Sequence, residues 1–98
     1  MRADWDYVAQ SALDQLGDYE RRLVESTVAG AAEDWQQISP ALPKVAGESV
    51  PTYVLKAGSR FHVFVSCANG LMTVLDIVPE RQIAALRALV HAKHAAHA

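Results

Sequence analysis

Residues 53–77, YVLKAGSRFHVFVSCANGLMTVLDI, decide how this chain folds. They read as three short strands joined by two tight connections. Ala57-Gly58-Ser59 supplies the first turn and Ala68-Asn69-Gly70 the second. Asn-Gly between two apolar runs is a strong hairpin signal, because both residues tolerate positive φ. Val, Phe, Thr, Tyr and Leu fill the runs, as a half-buried pleated surface prefers. The expected sheet is a meander, 53–57 beside 60–66 beside 71–77.

Side chains alternate across a strand, so the stretch sorts into two faces. Tyr53 and Leu55 share one face of the first strand, and Val54 and Lys56 take the other. In the second strand Phe61, Val63 and Val65 oppose Arg60, His62 and Phe64. The first face is wholly apolar and requires a helical cover. The second mixes Lys56, Arg60 and His62 with apolar neighbours. Such cations are a place to look for function, and they equally fit the ordinary solvated face of an antiparallel sheet. Val54, Phe64 and Met72 are expected to stay uncovered by the chain's own helices. Together with the cations they suit an acidic, amphipathic partner segment.

The flanks supply the cover. Residues 4–16 carry a helical stripe of Trp5, Val8, Ala9, Ala12, Leu13 and Leu16, with Asp4 or Asp6 placed to cap it. Gly17 stops that helix, and Asp18 is placed to cap a second over 19–33, with Leu23, Val24, Thr27, Val28 and Ala31 on its inner face. Trp35 follows as a seal. Residues 36–52 hold Pro40, Pro43, Gly47 and Pro51, which predicts a long connection with one irregular edge strand near Leu42 to Val45. Pro79-Glu80 ends the third strand and opens a helix over 80–95. These elements predict an α+β fold, a helical hairpin on a small antiparallel sheet plus a C-terminal helix.

The chain has 98 residues, 51% of them apolar and 20% charged, which predicts one globular domain and excludes wholesale disorder. No run reaches the roughly 18 apolar residues of a membrane span, and acids interrupt the N-terminal stretch where a signal peptide needs an apolar core. A cytoplasmic location is expected. The single Cys67 permits no internal disulfide and reads as a packing residue at a strand end. Net charge is −2, unevenly spread. Residues 1–35 hold eight acids and three Arg, a balance of −5, and residues 36–98 hold six bases and three acids, a balance of +3. That asymmetry suits a polyanion or acidic partner on the sheet side only, and falls short of a strongly basic nucleic-acid binder. His91, His94 and His97 recur every third residue in an Ala-rich tail, with no Cys or carboxylate beside them. They read as a frayed end over 91–98 rather than a metal site. Nothing marks a metal or nucleotide cofactor.

The order of elements, with Y-x-L-K-x-G followed by R-F-H-V-F-V, a turn, V-L-D-I and a last helix, resembles the RelE/ParE superfamily of toxins. The likeness covers about residues 5–90. It implies the toxin half of a type II toxin–antitoxin module, with a cognate antitoxin as partner and no cofactor. The RelE branch cleaves mRNA on the ribosome without a metal, and the ParE branch inhibits DNA gyrase without cleaving. By resemblance, Lys56 matches a basic residue of the first strand, and His62 falls where the family usually has the arginine of a tyrosine-arginine pair, with Phe61 in the tyrosine position. Arg60 lies one place earlier, and would substitute only if the strand register slipped by one. Arg81 lies near the usual basic position after the last strand. Val54 stands where some members carry a second basic residue, and Leu86 where many nucleases carry a tyrosine. The resemblance implies Lys56 and His62 as catalytic and Arg60 and Arg81 as RNA-binding. A gyrase inhibitor, or a non-catalytic binding protein of the same fold, is the alternative.

Overall fold

A computed structural model describes residues 1–85. The element order is β1 (Arg2–Trp5), α1 (Tyr7–Asp14), α2 (Asp18–Glu33), α3 (Trp35–Ile38) with a 3-10 turn (Ser39–Ala41), β2 (Thr52–Ala57), β3 (Phe61–Ala68) and β4 (Leu71–Pro79). A last helix, α4, begins at residue 80 and is described over 80–85. The remainder of that expected helix, with Leu86, and the His-rich tail lie outside the described residues.

The sheet order is β1-β4-β3-β2. Its last three strands form the expected antiparallel meander. Gly58 (φ 59) carries the first turn, and Asn69 (φ 54) with Gly70 (φ 73) carries the second. Two consecutive positive φ values make a primed two-residue turn, whose twist matches that of the flanking strands. Lys44 forms a single antiparallel bridge to Tyr53 on the outer edge of β2, inside the segment expected to hold an irregular strand.

The first element departs from the sequence expectation. Residues 2–5 are a strand paired in parallel with β4, so the sheet is mixed and the first helix starts only at Tyr7. The apolar spacing of Trp5 imitates a helical stripe, yet its pairing with Val74 is a contact about 70 residues distant that no local pattern reveals. Asp6 occupies the N-cap position of α1 and donates its backbone N–H to the Val74 carbonyl at 2.9 Å, joining strand to helix. Asp18 is the first residue of α2 rather than its cap, a place taken by Gly17. With Glu20 it puts acids in the first turn, where the helix dipole favours them.

The core lies between the helices and the inner face of the sheet. Leu55, Val63, Val65, Val74 and Ile77 from the strands meet Ala9, Leu13, Val24, Val28, Ala31 and Ala32 from α1 and α2. α1 packs on β4 and α2 on β2. Phe61, Val63 and Val65 are all buried, as the alternation requires. Trp35 is buried edge-on against Tyr53, with ring centroids 4.8 Å apart, and closes the far end.

Met72 corrects a further expectation. It is fully buried in this core rather than left on the open face. The two-residue turn pairs Ala68 with Leu71 and therefore sets Met72 opposite Cys67, on the same face as Val65. Beyond it β4 carries a bulge. Val65 pairs Val74 and Phe64 pairs Asp76, which leaves Leu75 as the extra residue. Val74 and Ile77 can therefore both face inward although they are three positions apart. The Ile77 N–H donates to Asp76 Oδ1 at 2.8 Å beside the bulge.

Candidate functional site

The outer face of β2 and β3 presents two cross-strand rows. Val54 lies opposite Phe64, and Lys56 lies opposite His62. Adjacent strands lie about 4.8 Å apart, so side chains in such a row converge on one ligand group. Val78 of β4 continues the His62 row, and Asp76 continues the Phe64 row. The one-residue slip by which Arg60 would have substituted for the family's arginine is not adopted, because it would turn Phe61 and Val63 out of the core.

A groove of about 580 Å³ lies over this face. Its floor is Val54, Lys56, His62 and Phe64, one wall is Leu42 and Pro43 from the long connection, and the other is Ile83 of α4. Its lining is mainly apolar with cationic and imidazole groups at one end. A smaller cleft of about 300 Å³ adjoins it, lined by Lys56, Gly58, Ser59, Phe61 and Glu80. Lys56 belongs to both.

His62 is buried on the side of the sheet away from the helical hairpin, and its Nε2 is paired with Glu80 Oε2. Glu80 is the first residue of α4, and its backbone N–H donates to the Arg60 carbonyl at 2.7 Å. Side chain and backbone thus fasten the start of α4 to the first turn and to β3. A buried polar group without such a partner would cost a few kcal/mol, so the pair accounts for how an imidazole is accommodated here.

The four residues implied by the resemblance do not form one cluster. Lys56 and His62 are adjacent. Arg81 is exposed on the first turn of α4, next in sequence to Glu80. Arg60 belongs to the turn before β3, and its Nη1 lies 4.0 Å from Glu20 Oε1 on α2, on the helical side. Leaving the strand frees Arg60 from the pleat that sets His62 outward. Glu80 was not singled out by sequence reasoning. The observed register places it: His62 pairs Val78, and a residue two places further returns to the same face, but the bulge in β4 hides that register from the sequence.

Cys67 is half-buried, and burial pushes its thiol above the usual range, which disfavours the thiolate. Among the described residues no three His, Cys, Asp or Glu side chains gather as a metal site requires. Among them, too, no helix is long and apolar enough to cross a membrane.

No protein-family model matches the chain, and no curated protein matches it in sequence. Solved structures do match its fold. The RelE–RelB complex of the archaeon Pyrococcus horikoshii OT3 aligns with a TM-score of 0.65 at 16% identity, covering 81% of this chain and 93% of that one. The isolated RelE toxin of E. coli aligns with a TM-score of 0.64 at 18% identity, covering 90% and 97%. The RelB–RelE antitoxin–toxin complex of Methanococcus jannaschii gives 0.59 at 10% identity, covering 84% and 95%. The chain therefore has the α+β fold of RelE toxins, along nearly the whole length of those proteins.

Proposed function

We propose that this chain is the toxin component of a type II toxin–antitoxin module, acting in the cytoplasm and leaning to RelE-like cleavage of mRNA on the ribosome. The observation that carries this reading is the Lys56–His62 row on the outer face of a RelE-like sheet, open to a groove of about 580 Å³. Cleavage of RNA by its own 2′-hydroxyl needs a proton acceptor, cationic charge for the phosphate and a proton for the leaving oxygen. Lys56 and His62 are the pair around which that chemistry is organised. Arg81 would meet phosphate from the rim. Arg60 would do so from the turn, on leaving its long contact with Glu20. None of these steps calls on a metal or cofactor. Two of the similar structures hold RelE with RelB, which supports a cognate antitoxin as the partner here. The cations beside Val54 and Phe64 suit an acidic, amphipathic antitoxin segment.

A specific observation favours a second reading. His62 is buried and already paired, and Arg60 turns to the helical side. With Lys56 and Arg81 as its exposed cations among the described residues, this face also fits a gyrase inhibitor of the ParE type or a non-catalytic binding protein.

Induced expression in a bacterial host separates these readings. The expected result is growth arrest with cuts in translated mRNA, relieved by Lys56→Ala and by co-expression of a cognate antitoxin. Growth arrest with intact mRNA and DNA damage would move the assignment to gyrase. Unimpaired growth with no cleavage would leave a binding protein.

A further inference from the structure

The outer face of the sheet changes character from one cross-strand row to the next. In one row the exposed Lys56 lies beside the enclosed His62. Two residues along the strands, Val54, Phe64 and Asp76 lie side by side across β2, β3 and β4. Phe64 is half-buried and forms part of the groove floor with Val54. Asp76 is half-buried next to it, and its Oδ1 accepts from the Ile77 N–H at 2.8 Å, which fixes the attitude of the carboxylate. Among the described residues no cation pairs with Asp76. Successive rows on one face are about 6.8 Å apart, two residues at about 3.4 Å each. A cation, an aromatic ring and a carboxylate thus follow one another across a single face.

We propose that Phe64 is the stacking platform for one base of a single-stranded RNA, and that Asp76 reads the edge of that base by selecting an exocyclic amino group. The inference rests on the RNA-directed reading above and adds a base subsite to it. An aromatic ring on a sheet face stacks any base, because every base has a π-face. The charges of the face set the orientation of the nucleotide. Its phosphate is drawn to Lys56 and repelled from Asp76, so the base lies over Phe64 with its edge toward the carboxylate. The spacing between the two rows is one that a single nucleotide bridges from phosphate to base. An ionised Asp76 only accepts hydrogen bonds. Cytosine offers it the N4 amino group, whereas uracil, of the same size, offers the O4 acceptor and is repelled. The amino groups of adenine and guanine meet the same requirement. Phe64 therefore supplies affinity without regard to sequence, and Asp76 supplies the choice.

The test uses the full chain with ribosomes programmed with labelled mRNAs that carry C or U at each position of the cleaved codon in turn. At one position the wild type is expected to cut the C form with a kcat/KM about tenfold above that of the U form. Asp76→Asn keeps an oxygen for the Ile77 N–H and presents an amide that can donate to uracil O4. It should abolish the preference for C, with a thermal midpoint near that of the wild type. Phe64→Leu keeps an apolar floor and loses the ring, so kcat/KM should fall about tenfold on both mRNAs. Phe64→Tyr keeps the ring and should restore most of that loss. A merely structural role for either residue would not move the ratio of C to U. Equal rates on C and U at every position, a preference that survives Asp76→Asn, or a Phe64→Leu protein with wild-type kcat/KM would overturn the proposal and leave RNA cleavage standing. A wild-type chain that leaves ribosome-bound mRNA intact would remove the RNA-directed reading and the subsite with it, and the apolar row would then belong to the antitoxin segment alone.

Discussion

Val63→Ala, set beside Val54→Ala, tests which face of the sheet is the core. The two substitutions are chemically identical and sit on neighbouring strands. Val63 has no exposed surface and lies between Leu55 and Ile77 in register, under the helices. Removing its two methyl groups forfeits about 1.6 kcal/mol of transfer free energy, at about 0.8 kcal/mol per carbon. Its neighbours on both strands are hydrogen-bonded into the sheet and cannot close the gap, so the residual cavity raises the cost to about 2–3 kcal/mol. Val54 is half-buried at the floor of an open groove, where truncation encloses no void. Its cost is about 0.5–1 kcal/mol. For a domain of this size the first change lowers the thermal midpoint by about 10–20 °C and the second by a few degrees. Far-UV circular dichroism melts and urea titrations of both variants measure the difference. If Val54→Ala costs as much as Val63→Ala, the division of faces argued from the pleat is wrong.

Two further outcomes follow from local geometry. Gly58→Ala places a Cβ at a φ of 59° and 3.2 Å from Leu23 Cδ2, so it should destabilise by about 1–2 kcal/mol, and a thermal midpoint equal to that of the wild type would contradict the strain argument. Burial raises the Cys67 thiol above its ordinary value, so less thiolate is present at pH 8 to 9 than in the unfolded chain. Iodoacetamide labelling should therefore run slower in native protein than in urea at the same pH, and equal rates would show the thiol to be free of that burial.

The meander was legible because its signals are local. Asn69-Gly70 fixes a turn, the alternation of Phe61, Val63 and Val65 fixes a face, and the small and β-branched residues of α2 fix the surface that covers it. β1 was not legible, since a four-residue strand gains its identity only from Val74 and its neighbours across the sheet. Met72 was misplaced although the turn itself carried the answer: counting outward from the Ala68–Leu71 pair reaches Cys67 opposite Met72. In the site, the Lys56–His62 row could be read from alternation alone. Glu80 could not, for two reasons. Pro79 advertised a helix start, which drew attention to capping rather than to facing. The bulge at Leu75 also shifts the phase of β4, so counting from its first half puts Val78 on the wrong side. Arg60 was assigned to the outer face by extending the strand one residue too far into the turn.

The bulge also governs how the length of this strand can vary. Losing one residue within a regular strand exchanges its two faces beyond the point of loss. Losing Leu75 would not, since Val74, Asp76 and Ile77 already alternate inward, outward, inward once the extra residue is set aside. The strand therefore has one position of slack, located between the half that seats the hairpin and the half that delivers Glu80. A single-residue deletion there would keep Asp76, Ile77 and Val78 opposite Phe64, Val63 and His62, and so hold the start of α4 in place against β3 with the apolar interior still closed. The length of β4 can thus change by one residue at this point while the start of α4 keeps its place beside the β2–β3 turn.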